Sequence, residues 1–281
     1  MALLSIIIAL LVDRALRDSH DIRDMSWFEA YSTIITRLMP FENGLASLIA
    51  VLILPLLILL TIQITISGLL FDLPYFIFGI LVLIYCLGPA CLSSDIDAYM
   101  DARSLGDEDE ALHYAGLITE RAASTVPDQQ TTDVTRAILF AANDRVFSMI
   151  FWFVWLGPVG VFLYRLSSNL HKEEGHDSEM AEWAIILHSL MAWIPARMLA
   201  FGYALTGHFD GALAAYNSRP YESDISITSY DTLVATGLGA LKENNASDEI
   251  SAIAAARNLV MRSIMVWVAV LALLTLGGLL S

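Results

Sequence analysis

The chain has 281 residues, 57% hydrophobic and 16% charged, with a mean hydropathy of +0.62. Soluble domains average about 45–50% apolar and about 25% charged residues, so these proportions place the chain in a membrane. The formal net charge of −15 argues against nucleic-acid binding and against a polybasic lipid-binding surface.

Residues 1–12, MALLSIIIALLV, are too short for a full span, which needs about 20 residues. They lack the basic start and small-residue cleavage site of a signal peptide, so a re-entrant or half-spanning helix is expected. Residues 13–43 are mixed, and Trp27, Phe28 and Tyr31 supply an interfacial aromatic face. Leu45–Phe71 is long enough to cross, with Pro55 inside it. Asp72-Leu73-Pro74 reads as a tight turn, and Tyr75–Leu92 returns, interrupted at Gly88-Pro89. The two cysteines, Cys86 and Cys91, share one apolar run and face different ways on a helix, which makes them packing residues.

Residues from about 93 to 131 form an acidic soluble insert with one or two amphipathic helices, one starting at Asp107–Glu110. A third long helix is predicted from Thr132-Asp133, an N-cap pair, without a break through Asn143 to Gly157-Pro158. That Gly-Pro pair marks a break in a membrane helix, since no phosphate-binding Lys-Ser/Thr follows it. Trp183–Leu205 is the next apolar segment, bent at Pro195. Residues from about 206 to 258 are soluble, and Ser247 caps a last helix ending in the span Ile264–Leu280.

Basic residues set the expected topology. If 183–205 crosses, one side holds twelve Lys and Arg and the other only Arg165 and Lys172. The positive-inside rule then favours five crossings, with the insert and residues 206–262 cytoplasmic.

The polar groups inside the apolar runs are the functional candidates. Arg197 leads, because a charge at mid-bilayer costs about 2.5–3.5 kcal/mol and normally faces protein, water or ligand. Pro195 withholds a backbone donor and frees a carbonyl one turn back, beside Trp193. The plainer reading of Arg197 is an arginine snorkelling to the interface. Asn143 reads either as a site residue or as an interhelical hydrogen-bonding residue. His188 lies nine residues before Arg197, on the opposite face of an unbroken helix, and a buried histidine is its simplest reading. His171, Glu173, Glu174, His176 and Asp177 gather in one connector, but their spacing matches no zinc signature, so no metal site is assigned.

Several stretches resemble the AmpE family of bacterial inner-membrane proteins: FWFVWLGPVGVFLYRL at 151–166, WIPAR at 193–197, YALTGHFDGAL at 203–213, LVDRAL at 11–16 and Asn143-x-Arg145. The resemblance implies a part in signalling for β-lactamase induction. The wider resemblance is to the CobD/CbiB membrane synthases of cobalamin assembly, which make an amide using ATP and magnesium. Tyr164 and Arg165 match one of their motifs, while Ser168 and His171 stand at its Asn and Asp positions. Trp193, Pro195, Ala196 and Arg197 match the other, while His188, Ser189 and Ala192 replace two aspartates and an asparagine. Magnesium prefers hard oxygen ligands, so the loss of these carboxylates puts synthase chemistry in doubt.

The expected protein is an all-α, polytopic membrane protein with four to five transmembrane helices, a short N-terminal half-spanning helix and amphipathic cytoplasmic helices. Residues 1–281 are read as one membrane domain. The expected ligand-binding residues are Arg197, Asn143, Arg165, Tyr164, Trp193 and His188, with no catalytic residue and no cofactor assigned. Expected partners are the lipid bilayer, a small anionic ligand and a second copy of the chain. A diverged synthase and a structural scaffold are the alternatives.

Overall fold

The computed structural model describes residues 2–15, 25–38, 43–68, 72–87, 92–124, 126–172, 179–219, 225–241 and 249–277, all helices and their connections. Among the described residues there is no strand. Among the described residues, five segments are long and apolar enough to cross a membrane: Gly44–Ile66, Leu73–Leu105, Pro127–Leu170, Glu179–Thr206 and Glu249–Leu276. The chain is an all-α, polytopic membrane protein. The connector holding Glu173, Glu174, His176 and Asp177, the side chain of His171, the Gly88-Pro89 interruption and the Ser247 cap lie outside the described residues.

Two compact units are present, one of residues 1–89 and 148–192, the other of 90–147 and 193–280. The first begins with α1 (Ala2–Ala15), whose apolar core Leu3–Val12 is shorter than a span. It packs on α4 (Leu73–Leu87) and α8 (Ser148–Lys172), burying Ile6 and Ala9. The aromatic face of α2 (Ser26–Leu38) is divided: Phe28 is buried and stacks on Tyr31, while the Trp27 indole donates to the Tyr85 hydroxyl at 2.6 Å. Next, α3 (Gly44–Ile66) starts at Asn43, whose Oδ1 accepts from the Leu45 amide at 3.0 Å, and continues through Pro55. Its outward face shows Ile49, Ile53, Leu57 and Ile64, as lipid contact requires.

The break foreseen at Gly157-Pro158 is real but local. Gly157 has φ 66° and ψ −153°, a backbone shape that favours glycine, and the helix then resumes to Lys172. A Cβ on Gly157 would meet the Tyr75 hydroxyl at 3.2 Å, so the residue is constrained twice.

In the second unit, α5 (Leu92–Leu105), α6 (Glu108–Thr119), α7 (Pro127–Ala142) and α12 (Glu249–Leu276) pack around Tyr99, Ile138, Leu139, Leu259 and their neighbours. The acidic start of α6 behaves as read, with Asp107 Oδ1 accepting from the Glu110 amide at 3.0 Å. Two expectations for α7 are corrected. It starts at Pro127 rather than Thr132-Asp133, because proline needs no N–H partner and presets the helical φ. Thr132 is therefore internal, and its hydroxyl donates to the Asp128 carbonyl at 2.9 Å. Second, the helix is continuous through Asn143 but not α-helical throughout: Asn143–Phe147 is one π-helical turn.

Ion pairs tie this unit together. The Arg145 side chain, buried in that π turn, donates from Nη2 to the Leu117 carbonyl at 2.8 Å and to Glu120 Oε1 at 2.9 Å, with Asp95 3.6 Å from Nη1. Arg145 thereby holds the C-terminal end of α6, where Glu120 is left-handed at φ 54°. Arg103 pairs with Glu249, and Arg257 with Asp97 at 3.0 Å, joining α5 to α12. Arg145→Leu is expected to destabilise the protein by about 3 kcal/mol, since it removes the cation from a mostly buried cluster of ion pairs. Thermal unfolding in detergent measures this; a midpoint unchanged within a degree would mean that the cluster contributes nothing.

Candidate functional site

Every candidate residue lies on α7, its π turn, α8 or α9 (Glu179–Thr206). In the first unit, Tyr164 is fully buried and its ring lies 5.1 Å from that of His188, tilted by 40°. His188 is buried, as its simplest reading required. Arg165 follows on α8, within electrostatic reach of the buried Cys86 thiol. The second unit holds Asn143, Trp193 and Arg197.

Arg197 is compensated locally. Its Nη1 donates to the Trp193 carbonyl at 3.0 Å, and its guanidinium carbon sits 3.7 Å above the centre of the Trp193 ring. The two residues are one helical turn apart, which is what brings the cation onto the ring. Trp193 itself is 40% exposed, so the pair lies on an open face of α9. Among the described residues Arg197 has no carboxylate partner. It makes no hydrogen bond to Asn143.

The depth of Arg197 follows from helix length. α9 has 28 residues, about 42 Å at 1.5 Å each, against a hydrocarbon layer of about 30 Å. Counting about twenty residues from Trp183, the first apolar position after Glu182, ends near Gly202. Arg197 then lies about 8 Å inside that boundary, within snorkelling reach, while Trp193 lies near the middle of the layer.

The carbonyl freed by Pro195 does not serve the arginine. Pro195 cannot donate to the Met191 carbonyl, and the Trp152 indole donates there instead at 3.0 Å. The same substitution occurs at the π turn. The Asn143 amide bonds to the Phe140 carbonyl, leaving that of Leu139, which accepts the buried Tyr203 hydroxyl at 2.8 Å. A third indole, Trp267, donates to the Met198 carbonyl at 3.1 Å and leaves room opposite only for Gly202. Asn143 is wholly buried, and neither atom of its amide has a hydrogen-bond partner among the described residues. It does not serve there as a hydrogen bond between helices.

Two residues that act on Arg197 escaped the sequence reading. Arg219 and Tyr216 both lie within its electrostatic reach, brought there by α10 (Phe209–Asn217). The available signal was a Tyr and an Arg three residues apart, which is weak without the fold.

The family described as "Regulatory signalling modulator protein AmpE" matches residues 1–281. Protein AmpE of Shigella flexneri is 25% identical over 231 residues, covering 75% of this chain and 78% of that protein. The cobalamin biosynthesis protein CobD of Stutzerimonas stutzeri is 31% identical over 140 residues, 48% of this chain and 46% of that protein. CobD of Chromobacterium violaceum is 29% identical over 132 residues, 45% of this chain and 42% of that protein. The chain thus spans less than half the length of these two cobalamin relatives. No solved structure matches. Matched from its first residue to its last, the chain belongs to the AmpE family of regulatory signalling modulators.

Proposed function

We propose that this membrane protein works in the bacterial inner membrane, in the signalling of cell-wall stress that controls β-lactamase induction. Its ligand is a small anion or an anionic partner received at Arg197. The observation that carries this reading is the state of that arginine. Among the described residues its charge is met by a ring face and one carbonyl, on an exposed face. A cation kept for structure alone would usually hold a buried acid, as Arg145 does. Tyr164, Arg165, His188 and Asn143 remain proposed members of the ligand-binding set, and a homodimer remains a proposed assembly.

Arg197→Leu is expected to leave the protein inserted and folded, since a cation–π contact at a half-exposed site is worth about 0.5–1 kcal/mol. The same variant should abolish β-lactamase induction in a strain lacking its own copy. A sharp loss of thermal stability, or normal induction, would make Arg197 structural and favour the scaffold.

Orientation follows from the basic residues. The cytoplasm should hold residues 206–258, and Ser281 should lie outside. With Cys86 and Cys91 replaced, single cysteines at Ser229 and Ser281 are treated with an impermeant thiol reagent in intact cells. Since Ser229 is buried, the comparison is made after denaturation of labelled membranes as well. Protection of Ser281 from the reagent would reverse the proposed topology.

A second reading, a diverged amide-forming synthase, is favoured by the identity to the two cobalamin relatives. Against it stand Ser168, His171, His188, Ser189 and Ala192 at positions where those motifs carry mostly carboxylates and amides. The chain should fail to rescue a bacterium lacking its CobD; rescue would promote the synthase over the regulator.

A further inference from the structure

The π turn Asn143–Phe147 interrupts a helix long enough to cross the membrane, and such turns occur most often at functional sites. Two costs attach to it. Asn143 is wholly buried, and neither its Oδ1 nor its Nδ2 has a partner among the described residues. A buried amide left so is expensive, and native structures keep few of them. The second cost is Glu120, which Arg145 of the turn holds. It is left-handed at φ 54° and ψ 26°, a conformation that side chains other than glycine rarely adopt.

Two restraints keep the turn as it is. Before it, the buried Tyr203 hydroxyl of α9 donates to the Leu139 carbonyl at 2.8 Å. An α-helix would give that carbonyl to the Asn143 N–H, which here bonds to Phe140 instead. Leu139 is also seated from the side, since a Cβ on Gly237 of α11 (Ile225–Leu241) would meet its methyl groups at 2.7 Å. Within the turn, Arg145 reaches back 28 and 25 positions to the Leu117 carbonyl and Glu120 Oε1, and lies 3.6 Å from Asp95. That restraint fixes the end of α6, whose other end carries the exposed acids Glu108, Asp109 and Glu110.

Closing the turn to α geometry would rotate the residues beyond it by about 100° relative to those before it, one residue's share of a helical turn. The Asn143 N–H would regain the Leu139 carbonyl, and the Tyr203 hydroxyl would lose its acceptor. Arg145 would swing away from Leu117 and Glu120, and Glu120 would no longer be held left-handed. Each arrangement thus leaves one buried polar group without a partner: the Asn143 amide in the π form, the Tyr203 hydroxyl in the α form.

We propose that this turn is a two-position switch. In the π form it grips the end of α6; in the α form it releases α6. Packed helices change between discrete arrangements of this kind rather than by gradual deformation. A turn inside a crossing segment and a helix with an acidic, exposed start then move together. The switch stands whether or not Arg197 receives an anion, since neither arrangement uses that residue.

Full-length protein with Cys86 and Cys91 replaced receives spin labels through His113→Cys on α6 and Asn258→Cys on α12, both exposed positions. The distance between the labels is measured in lipid nanodiscs by pulsed dipolar spectroscopy, and two distances are expected. Tyr203→Phe removes the restraint on the Leu139 carbonyl. It should move the ratio of the two about fivefold toward the released form, the equivalent of one hydrogen bond. Asn143→Leu removes the unpaired amide and should move the ratio the other way. A single distance, unchanged in all three proteins, would overturn the switch. So would a shift of both variants in the same direction, which is loosening of the turn and not exchange between two forms. Should Tyr203→Phe not fold, Arg145→Lys keeps the charge and loses the guanidinium fork, and should release α6 as well. An unchanged ratio in that variant would overturn the coupling of the turn to α6.

Discussion

Hydrocarbon offers no hydrogen-bond partner, and that absence governs where these helices break and what repairs each break. Pro195 leaves the Met191 carbonyl without a backbone donor, and the Trp152 indole takes its place. The π turn at Asn143 leaves the Leu139 carbonyl, and the Tyr203 hydroxyl takes it. Trp267 adds a third such contact to Met198. In each case a long aromatic side chain carries a single donor across to a neighbouring helix. The ring supplies apolar packing and the polar tip supplies the bond. The bulk of these residues in turn demands small partners, of which Gly202 beneath Trp267 is the clearest.

Charge is distributed by the same logic. Carboxylates are spent where arginines bridge helices: Asp95 and Glu120 on Arg145, Asp97 on Arg257, Glu249 on Arg103. These pairs hold α5, α6, α7 and α12 to one another. Among the described residues, Arg197 and Arg219 receive aromatic faces, carbonyls and a hydroxyl. An aromatic face steadies a guanidinium without cancelling its charge.

The relation to the cobalamin proteins then has a physical form. The Trp-x-Pro-Ala-Arg stretch keeps the proline, the tryptophan and the arginine, which together shape this part of α9. The carboxylates of the synthase motifs are replaced by His188 and Ser189, both buried here. The acids whose hard oxygens would suit magnesium are absent from these positions of α9.

Much of this was legible in the residues. Apolar length identified the crossing helices, and Gly157-Pro158 announced an interruption, because each depends on composition and local backbone chemistry alone. The acidic first turn of α6 was equally local. Motif resemblance identified the family, and the cost of an intramembrane charge put Arg197 foremost. The start of α7 was misplaced because two good capping residues outweighed a proline whose missing donor made it the better first residue. The π turn left no mark at all, since Asn143 is compatible with an ordinary helix and the bulge depends on what Tyr203 and Arg145 find around it. Carbonyl repair by Trp152 joins residues 39 positions apart, and the close seating of α10 on α11 rests on a contact between Gly211 and Gly239. Hydropathy and local backbone preference thus determined which segments enter the membrane. Which polar groups meet there was decided only by helix packing, because hydrogen bonds and charge contacts depend on distances that sequence separation does not encode.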